Sequence, residues 1–247
     1  DTSFLEVTSR FGLEFLMTRG DKVTLFLNSK SSDRLGSNTI AQPGLADVTL
    51  IGYGLGLTRE RFDYRFNPRR GHALQLEGSV GRKRTSQAVF GLVEQPPEIT
   101  TTQLELLSTA VAHVALGRKS TFRFVAQAGH MENDDLYTNE LYRMGGLKTL
   151  RGFDEASILC SSYAIGTIEY RFVFEENSNF FLFLDQAWWE RDVKDGFSTD
   201  TPMGFGAGTT FETKAGLFSL TYALGQQFDN PMQLRGGKVH FGFISLF

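Results

Sequence analysis

The sequence predicts an all-β protein, a transmembrane antiparallel β-barrel of the outer-membrane type, and three observations carry that prediction. Apolar and polar residues alternate with period two through most of the chain, the spacing of a strand with one face in an apolar phase and the other in a polar one. The connections between alternating runs are short after odd-numbered runs and long after even-numbered ones. That gives one rim of tight turns and one of long loops, a sidedness that a soluble sandwich has no reason to keep. Aromatics are 13% of the 247 residues and 23 residues are Phe, a load suited to a lipid-facing surface with aromatic girdles.

The strands follow in order. In the first, Leu5, Val7, Phe11, Leu13, Phe15 and Met17 share one parity against Glu6, Thr8, Arg10 and Glu14. The turn TRGD leads to a second strand with Val23, Leu25 and Leu27 on one face, and a long polar stretch from Ser29 to Gly44 follows. The third runs from Asp47 to about Tyr64 and ends at the turn NPRRG, Asn67 to Gly71. The fourth covers His72 to about Arg82. A connection to about Gln103 carries Pro96 and Pro97, which bar it from a central strand.

The fifth strand, Leu104 to Leu116, turns at GRKS into the sixth, Thr121 to His130. The longest connection, Met131 to about Ser162, separates it from the seventh, where Thr167, Glu169 and Arg171 oppose Ile168, Tyr170, Phe172 and Phe174. EENSN leads to the eighth, Asn179 to Glu190, with Asp185 on the polar parity and Trp188 and Trp189 on opposite faces, both assigned to girdle anchoring. A long polar loop precedes the ninth, which has Gly204, Gly206 and Gly208 at every second position and so leaves room inside the lumen. The tenth carries Phe218, Leu220, Tyr222 and Leu224. In the eleventh, Lys238 to Phe247, the residues Val239, Phe241, Phe243 and Phe247 share a parity.

Eleven antiparallel strands do not close in the even-numbered barrels of bacterial single-chain proteins. The first and eleventh both run toward the short-turn rim, which is periplasmic in such barrels. Residue 1 would then lie at the outer surface, so the expectation is that 1–247 is the C-terminal part of one larger barrel domain, preceded by an odd number of strands. The chain has neither an initiator Met nor a signal peptide, as expected of a mature chain or a piece of a longer one.

Composition narrows the function classes. A formal charge of −3 supplies no basic excess for phosphates, which argues against nucleic acid as a partner. No run approaches the roughly 18 apolar residues of a membrane-spanning helix. The single cysteine, Cys160, leaves no internal disulfide and no CxxC-type metal site. The four histidines, His72, His113, His130 and His240, sit on different strands at no metal-ligand spacing. There is no GxSxG, HExxH or phosphate loop. Neither an enzyme, a cofactor nor a metal is expected of these residues.

One stretch stands apart, GGLKTLRGFDE, Gly145 to Glu155. An arginine framed by glycines and an aromatic at the tip of a long loop suits a plug folded back into a polar lumen. Gly152 permits the tight turn, and Arg151 meets a carboxylate from the wall. Glu169, inward-facing on the seventh strand, is one candidate partner.

With Gly145, Gly146, Thr149, Leu150, Arg151, Gly152 and Phe153 in place, this run resembles the sixth-loop signature of the superfamily of BamA and the two-partner-secretion transporters. NPRRG, with Pro68 and Gly71, resembles the same family's periplasmic turn. FLFLDQA, with Phe183 and Asp185, resembles its loop-receiving wall motif, which implies Asp185 as the other partner of Arg151, except that Ala187 stands where glycine is usual. The aromatic terminus resembles the C-terminal signal by which outer-membrane barrels are recognised for insertion. The resemblance implies that the eleven strands are the last eleven of sixteen, usually preceded by POTRA domains. It implies an integral outer-membrane protein with a periplasmic C-terminus that inserts barrel proteins or translocates polypeptides. Unfolded clients would be handled at a lateral seam of which the eleventh strand is one side, in the lipid bilayer and with accessory periplasmic or lipoprotein subunits. Two alternatives stay open: the membrane anchor of a patatin-type lipase, and a passive porin.

Overall fold

The computed structural model describes residues 4–34, 44–86, 98–228, 230 and 233–245. Alternation becomes strand throughout. In chain order these are β1 (Phe4–Leu16), β2 (Lys22–Arg34), β3 (Asp47–Phe62), β4 (Gly71–Ser86), β5 (Glu98–Ala115), β6 (Ser120–Glu132), β7 (Tyr142–Met144), β8 (Ile158–Cys160), β9 (Ser162–Glu175), β10 (Ser178–Val193), β11 (Gly196–Asp200), β12 (Met203–Thr213), β13 (Gly216–Gln226) and β14 (Lys238–Ile244). One antiparallel sheet runs β1-β2-β3-β4-β5-β6-β9-β10-β12-β13-β14, with β11 folded back on the end of β10, while β7 and β8 form a separate hairpin. The eleven wall strands are those expected from the periodicity. Among the described residues β1 pairs only with β2 and β14 only with β13, so the sheet is open along two edges.

The burial pattern is inside out. Leu55, Leu57, Leu74, Leu76, Leu106, Phe124, Ile168, Leu182, Leu184, Phe205, Leu220 and Phe241 are exposed on one face of the curved sheet, whereas Lys83, His113, Glu169 and Asp185 are buried on the other. An apolar exterior round a polar interior is the arrangement lipid requires of strands. The described helical turns are single 3-10 turns, and none is long enough to cross a membrane.

Three expectations change. Ser29 to Arg34 belong to β2, paired with Phe4 to Ser9 of β1, and Lys83 to Ser86 of β4 pair with Glu98 to Thr101 of β5. These ends are polar on both faces, so they show no apolar period, yet their backbone groups are bonded by neighbouring strands. The polar loop after β10 is itself partly strand, since Trp189 to Val193 pair with Gly196 to Asp200. Trp189 is not a girdle residue. It is buried inside the barrel against the long loop, and Trp188 alone faces outward. Pro96, Pro97 and Phe247 lie outside the described residues.

Candidate functional site: a loop latched to the concave face of the sheet

The connection between β6 and β9 enters the concave side of the sheet and is held there along its length. Its hairpin, β7 and β8, carries Met144, Ile158 and Cys160 into one apolar cluster with Leu150 and Phe153 from the loop tip and with Ile165, Ala187 and Trp189 from the wall. Full burial of a Leu or Phe side chain contributes about 1.5–3 kcal/mol, so this cluster is the loop's main adhesive. The alanine at 187 joins it, with its N–H donating to the Pro202 carbonyl at 2.9 Å.

The tip is shaped locally before it is latched. Gly145 and Gly146 take positive φ, 110° and 93°, a region that side chains disfavour. Thr149 Oγ1 accepts the Gly145 N–H at 2.9 Å and donates to the Gly145 carbonyl at 3.0 Å, and Gly146 N–H donates to the Leu150 carbonyl. Gly152 has φ 94°, and a Cβ there would stand 2.7 Å from the backbone of Leu224 and Gly225. On the wall, a Cβ at Gly204 would lie 2.0 Å from the Arg151 carbonyl oxygen, and one at Gly225 would lie 2.6 Å from that of Gly152. The glycine ladder of β12 therefore admits the loop at Gly204, while Gly206 and Gly208 make space for the rings of Phe183 and Phe181.

Arg151 is thereby delivered to the wall. Its Nε and Nη2 donate to Asp185 Oδ2 and Oδ1 at 2.8 and 2.7 Å, a two-pronged contact, and its Nη1 donates to Glu169 Oε2 at 2.7 Å. The guanidinium lies 3.5 Å from the centroid of the Phe183 ring, within cation–π range. Thr167 donates to Asp185 Oδ1 at 2.8 Å, and Arg171 Nε donates to Glu169 Oε1 at 2.6 Å. Arg123 stands 3.7 Å from Glu169. Side-chain exposure is 8% for Arg151, 2% for Glu169 and 0% for Asp185. The site is therefore one in which ion pairing acts with little solvent screening. Phe183, Asp185 and Glu169 meet Arg151 at one point, while Gly145, Gly146 and Thr149 shape the turn before it.

Three contacts join the same loop to β14. Gly152 N–H donates to His240 Nε2 at 3.2 Å, which places the ring proton on Nδ1. Lys238 Nζ reaches Asp154 at 2.7 and 2.8 Å, and a Cβ on Gly242 would lie 2.8 Å from Leu147 Cδ2. Val239, Phe241 and Phe243 point the other way and are exposed, with Phe243 packed at 4.7 Å on the Phe218 ring. Sequence reasoning singled out the apolar parity of this strand and missed the working parity, Lys238 and His240. Alternation itself carried that signal, since residues between apolar outward ones must point to the concave side.

A second anchor, also missed, holds the outer part of the loop. Lys83 Nζ on β4 is buried against Glu140 Oε1 at 2.5 Å and the Asp135 carbonyl. Glu140 Oε1 also accepts the Tyr137 N–H at 2.7 Å. Asn139 Nδ2 donates to Ser32 at 2.7 Å and to the Ala46 carbonyl at 2.9 Å. At the opposite edge Arg143 of β7 sits 3.8 Å from Glu6 and over the ring of Phe4. The loop thus touches both open edges of the sheet.

The NPRRG turn folds against the short-turn rim. Asn67 and Pro68 are buried, Asn67 Nδ2 donates to the Glu176 carbonyl at 3.1 Å, and Asn179 Nδ2 donates to Asn67 Oδ1 at 3.2 Å. A Cβ at Gly71 would lie 1.9 Å from the Arg61 carbonyl oxygen.

Comparison with known proteins agrees with this geometry. The Omp85 superfamily domain matches residues 17–243. No curated protein matches the sequence significantly. Among solved structures, BamA from Haemophilus ducreyi lacking POTRA domains 1–3 superposes with a TM-score of 0.54 at 10% identity, over 97% of this chain and 61% of that one. The chain therefore spans about three fifths of that structure, and at such low identity the likeness is one of fold. The beta domain of the Bordetella autotransporter BrkA gives a TM-score of 0.40 at 11% identity, over 96% and 87% of the two chains. A score that low carries no argument.

Proposed function

The chain belongs to the Omp85 superfamily, and from that membership we propose that it is the barrel portion of a machine that inserts other β-proteins into the outer membrane or moves polypeptides across it. The loop from Asn133 to Ser161 serves as its lumenal plug, latched by Arg151. The free edge of β14 serves as the strand that meets clients, because unpaired N–H and C=O groups on an edge can template a further strand. The observation that carries the proposal is the double engagement of the loop tip: Arg151 is held by Asp185 and Glu169, while the adjacent Gly152 and Asp154 hold His240 and Lys238 of β14. Motion of the plug and motion of the seam strand are coupled through those neighbours. In this account the short-turn rim and the C-terminus face the periplasm. Further wall strands and POTRA domains come from upstream sequence, and accessory periplasmic or lipoprotein subunits assist.

The test is client folding. Full-length protein in lipid vesicles is mixed with an unfolded outer-membrane barrel, and folding is followed by heat-modifiable gel mobility. Wild type should accelerate folding over empty vesicles, and Arg151→Ala should lose much of that acceleration. Equal rates in protein-containing and empty vesicles contradict the proposal, and solute flux through the wild-type lumen in the same vesicles would favour a passive pore.

A further inference from the structure

The latch contains more positive charge than it can pair. Arg151, Arg171 and Arg123 converge on two carboxylates, and both are already occupied. Asp185 gives its oxygens to Arg151 and Thr167. Glu169 gives Oε2 to Arg151 at 2.7 Å and Oε1 to Arg171 at 2.6 Å. Arg123 arrives third, with Nη1 at 3.7 Å from Glu169 Oε2, and its guanidinium makes no hydrogen bond to any described residue. Arg171 uses only Nε, so both of its Nη groups lack a partner among the described residues. Asp63, a carboxylate near this end of β5, is engaged by the backbone N–H groups of Arg69 and Arg70 at 3.0 and 3.1 Å.

The free donors are grouped. Arg123 on β6 is in register with Glu169 on β9, and Arg171 lies two residues along β9 on the same inward face, the diagonal spacing that long side chains bridge. His113 of β5 is in register with Arg123, is buried, and has an Nδ1 without a partner. Planar guanidinium forks match an oxyanion in geometry as well as charge, and a partly buried cation without a counterion is costly.

We propose that the inner wall beside the latch binds one oxyanion on Arg123 and Arg171, supplied either by a carboxylate of a polypeptide or by free phosphate. The charge count adds a condition. Without Arg151 the wall holds two arginines and two carboxylates, so the anion site forms only while the plug is docked. The proposal rests on the latch geometry and is independent of what the barrel transports.

The experiment uses full-length protein in detergent micelles at constant ionic strength. Its heat-modifiability midpoint is titrated with inorganic phosphate, and separately with an N-acetylated tripeptide as the free acid and as the amide. Wild type should show a saturable rise, since a ligand that binds only the folded state stabilises it by mass action. Arg123→Gln should shift half-saturation upward by about tenfold or more. Arg123→Lys, which keeps the charge but loses the fork, should fall between them and serves if the glutamine variant does not fold. Arg151→Ala, with Arg123 intact, should also weaken binding. Saturation by the acid below the phosphate range, with no response to the amide, assigns a polypeptide carboxylate; the reverse order assigns phosphate. Curves that coincide for wild type and Arg123→Gln, or that rise without saturating in both, overturn the site. Client folding is read separately, so failure here leaves that result standing.

Discussion

Replacing Arg151 by Ala should weaken the barrel by an amount that the latch geometry fixes. The two carboxylates do not suffer equally. Glu169 keeps Arg171 at 2.6 Å and Arg123 at 3.7 Å, so its charge stays compensated. Asp185, with no exposed side-chain surface, keeps only the Thr167 hydroxyl at 2.8 Å among side-chain partners. One uncompensated buried carboxylate costs about 3–5 kcal/mol, and the lost contact with the Phe183 ring adds about 0.5–2 kcal/mol. If Asp185 is the source of the penalty, Asp185→Asn in the same background should recover much of it, with a coupling of about 2–3 kcal/mol in the double-mutant cycle. Glu169→Gln combined with Arg151→Ala should show less coupling. Urea unfolding in lipid vesicles, followed by tryptophan fluorescence, gives the free energies where the transition is two-state. A cost below about 1 kcal/mol for Arg151→Ala, the level of a solvated surface pair, would refute the argument, as would strict additivity with Asp185→Asn.

Other outcomes follow from the same contacts. Gly204→Ala puts a Cβ against the Arg151 carbonyl and should cost about 1–3 kcal/mol by overpacking, whereas Gly166→Ala, whose Cβ would stand 4.0 Å from the Gln186 carbonyl oxygen, should be nearly neutral; both are read by urea midpoints. Burial pushes the Cys160 thiol up to about 12. A maleimide at pH 8 should therefore leave it unlabelled in the folded protein, label it on unfolding, and label it measurably faster in Arg151→Ala, as mass spectrometry would record. Lys83→Met should cost about 3–5 kcal/mol by stranding Glu140, and Lys83→Met with Glu140→Leu should recover most of it; a double variant no more stable than the single one, in the same unfolding assay, would contradict the pairing.

Much of this was legible in the chain. Period two placed all eleven wall strands because lipid on one side and water on the other force apolar and polar residues onto opposite faces. Arg151 was legible from its framing glycines and aromatic, Glu169 from its inward parity, and Asp185 from the resemblance of FLFLDQA to the family's wall motif. The polar ends of β2, β4 and β5 were not, since their buried inner residues, Ser32, Lys83 and Thr85, are as polar as the outward ones, so alternation vanishes while backbone pairing continues. Nor were β7, β8 and β11, which are short and held by neighbours rather than by their own pattern. Lys83 with Glu140, and His240 with Gly152, are separated by 57 and 88 residues. Only the curvature of the sheet brings them together, and a linear pattern does not encode it. Trp189 misled because a tryptophan at a strand end suits a membrane interface as well as a lumenal core.

The most direct measurement is where the loop tip sits in native membranes. Leu147→Cys with Gly242→Cys, expressed in the full-length protein in cells, places two thiols where the Leu147 side chain and β14 already touch. Mild oxidation of isolated outer membranes, followed by gel mobility with and without reductant, reads the bond. A plug docked in the lumen predicts cross-linking of most molecules, falling when Arg151→Ala is added. Reduced protein only, alongside a control pair across β13 and β14 that does cross-link, would mean that the loop lies elsewhere and that the latch is not the resting state.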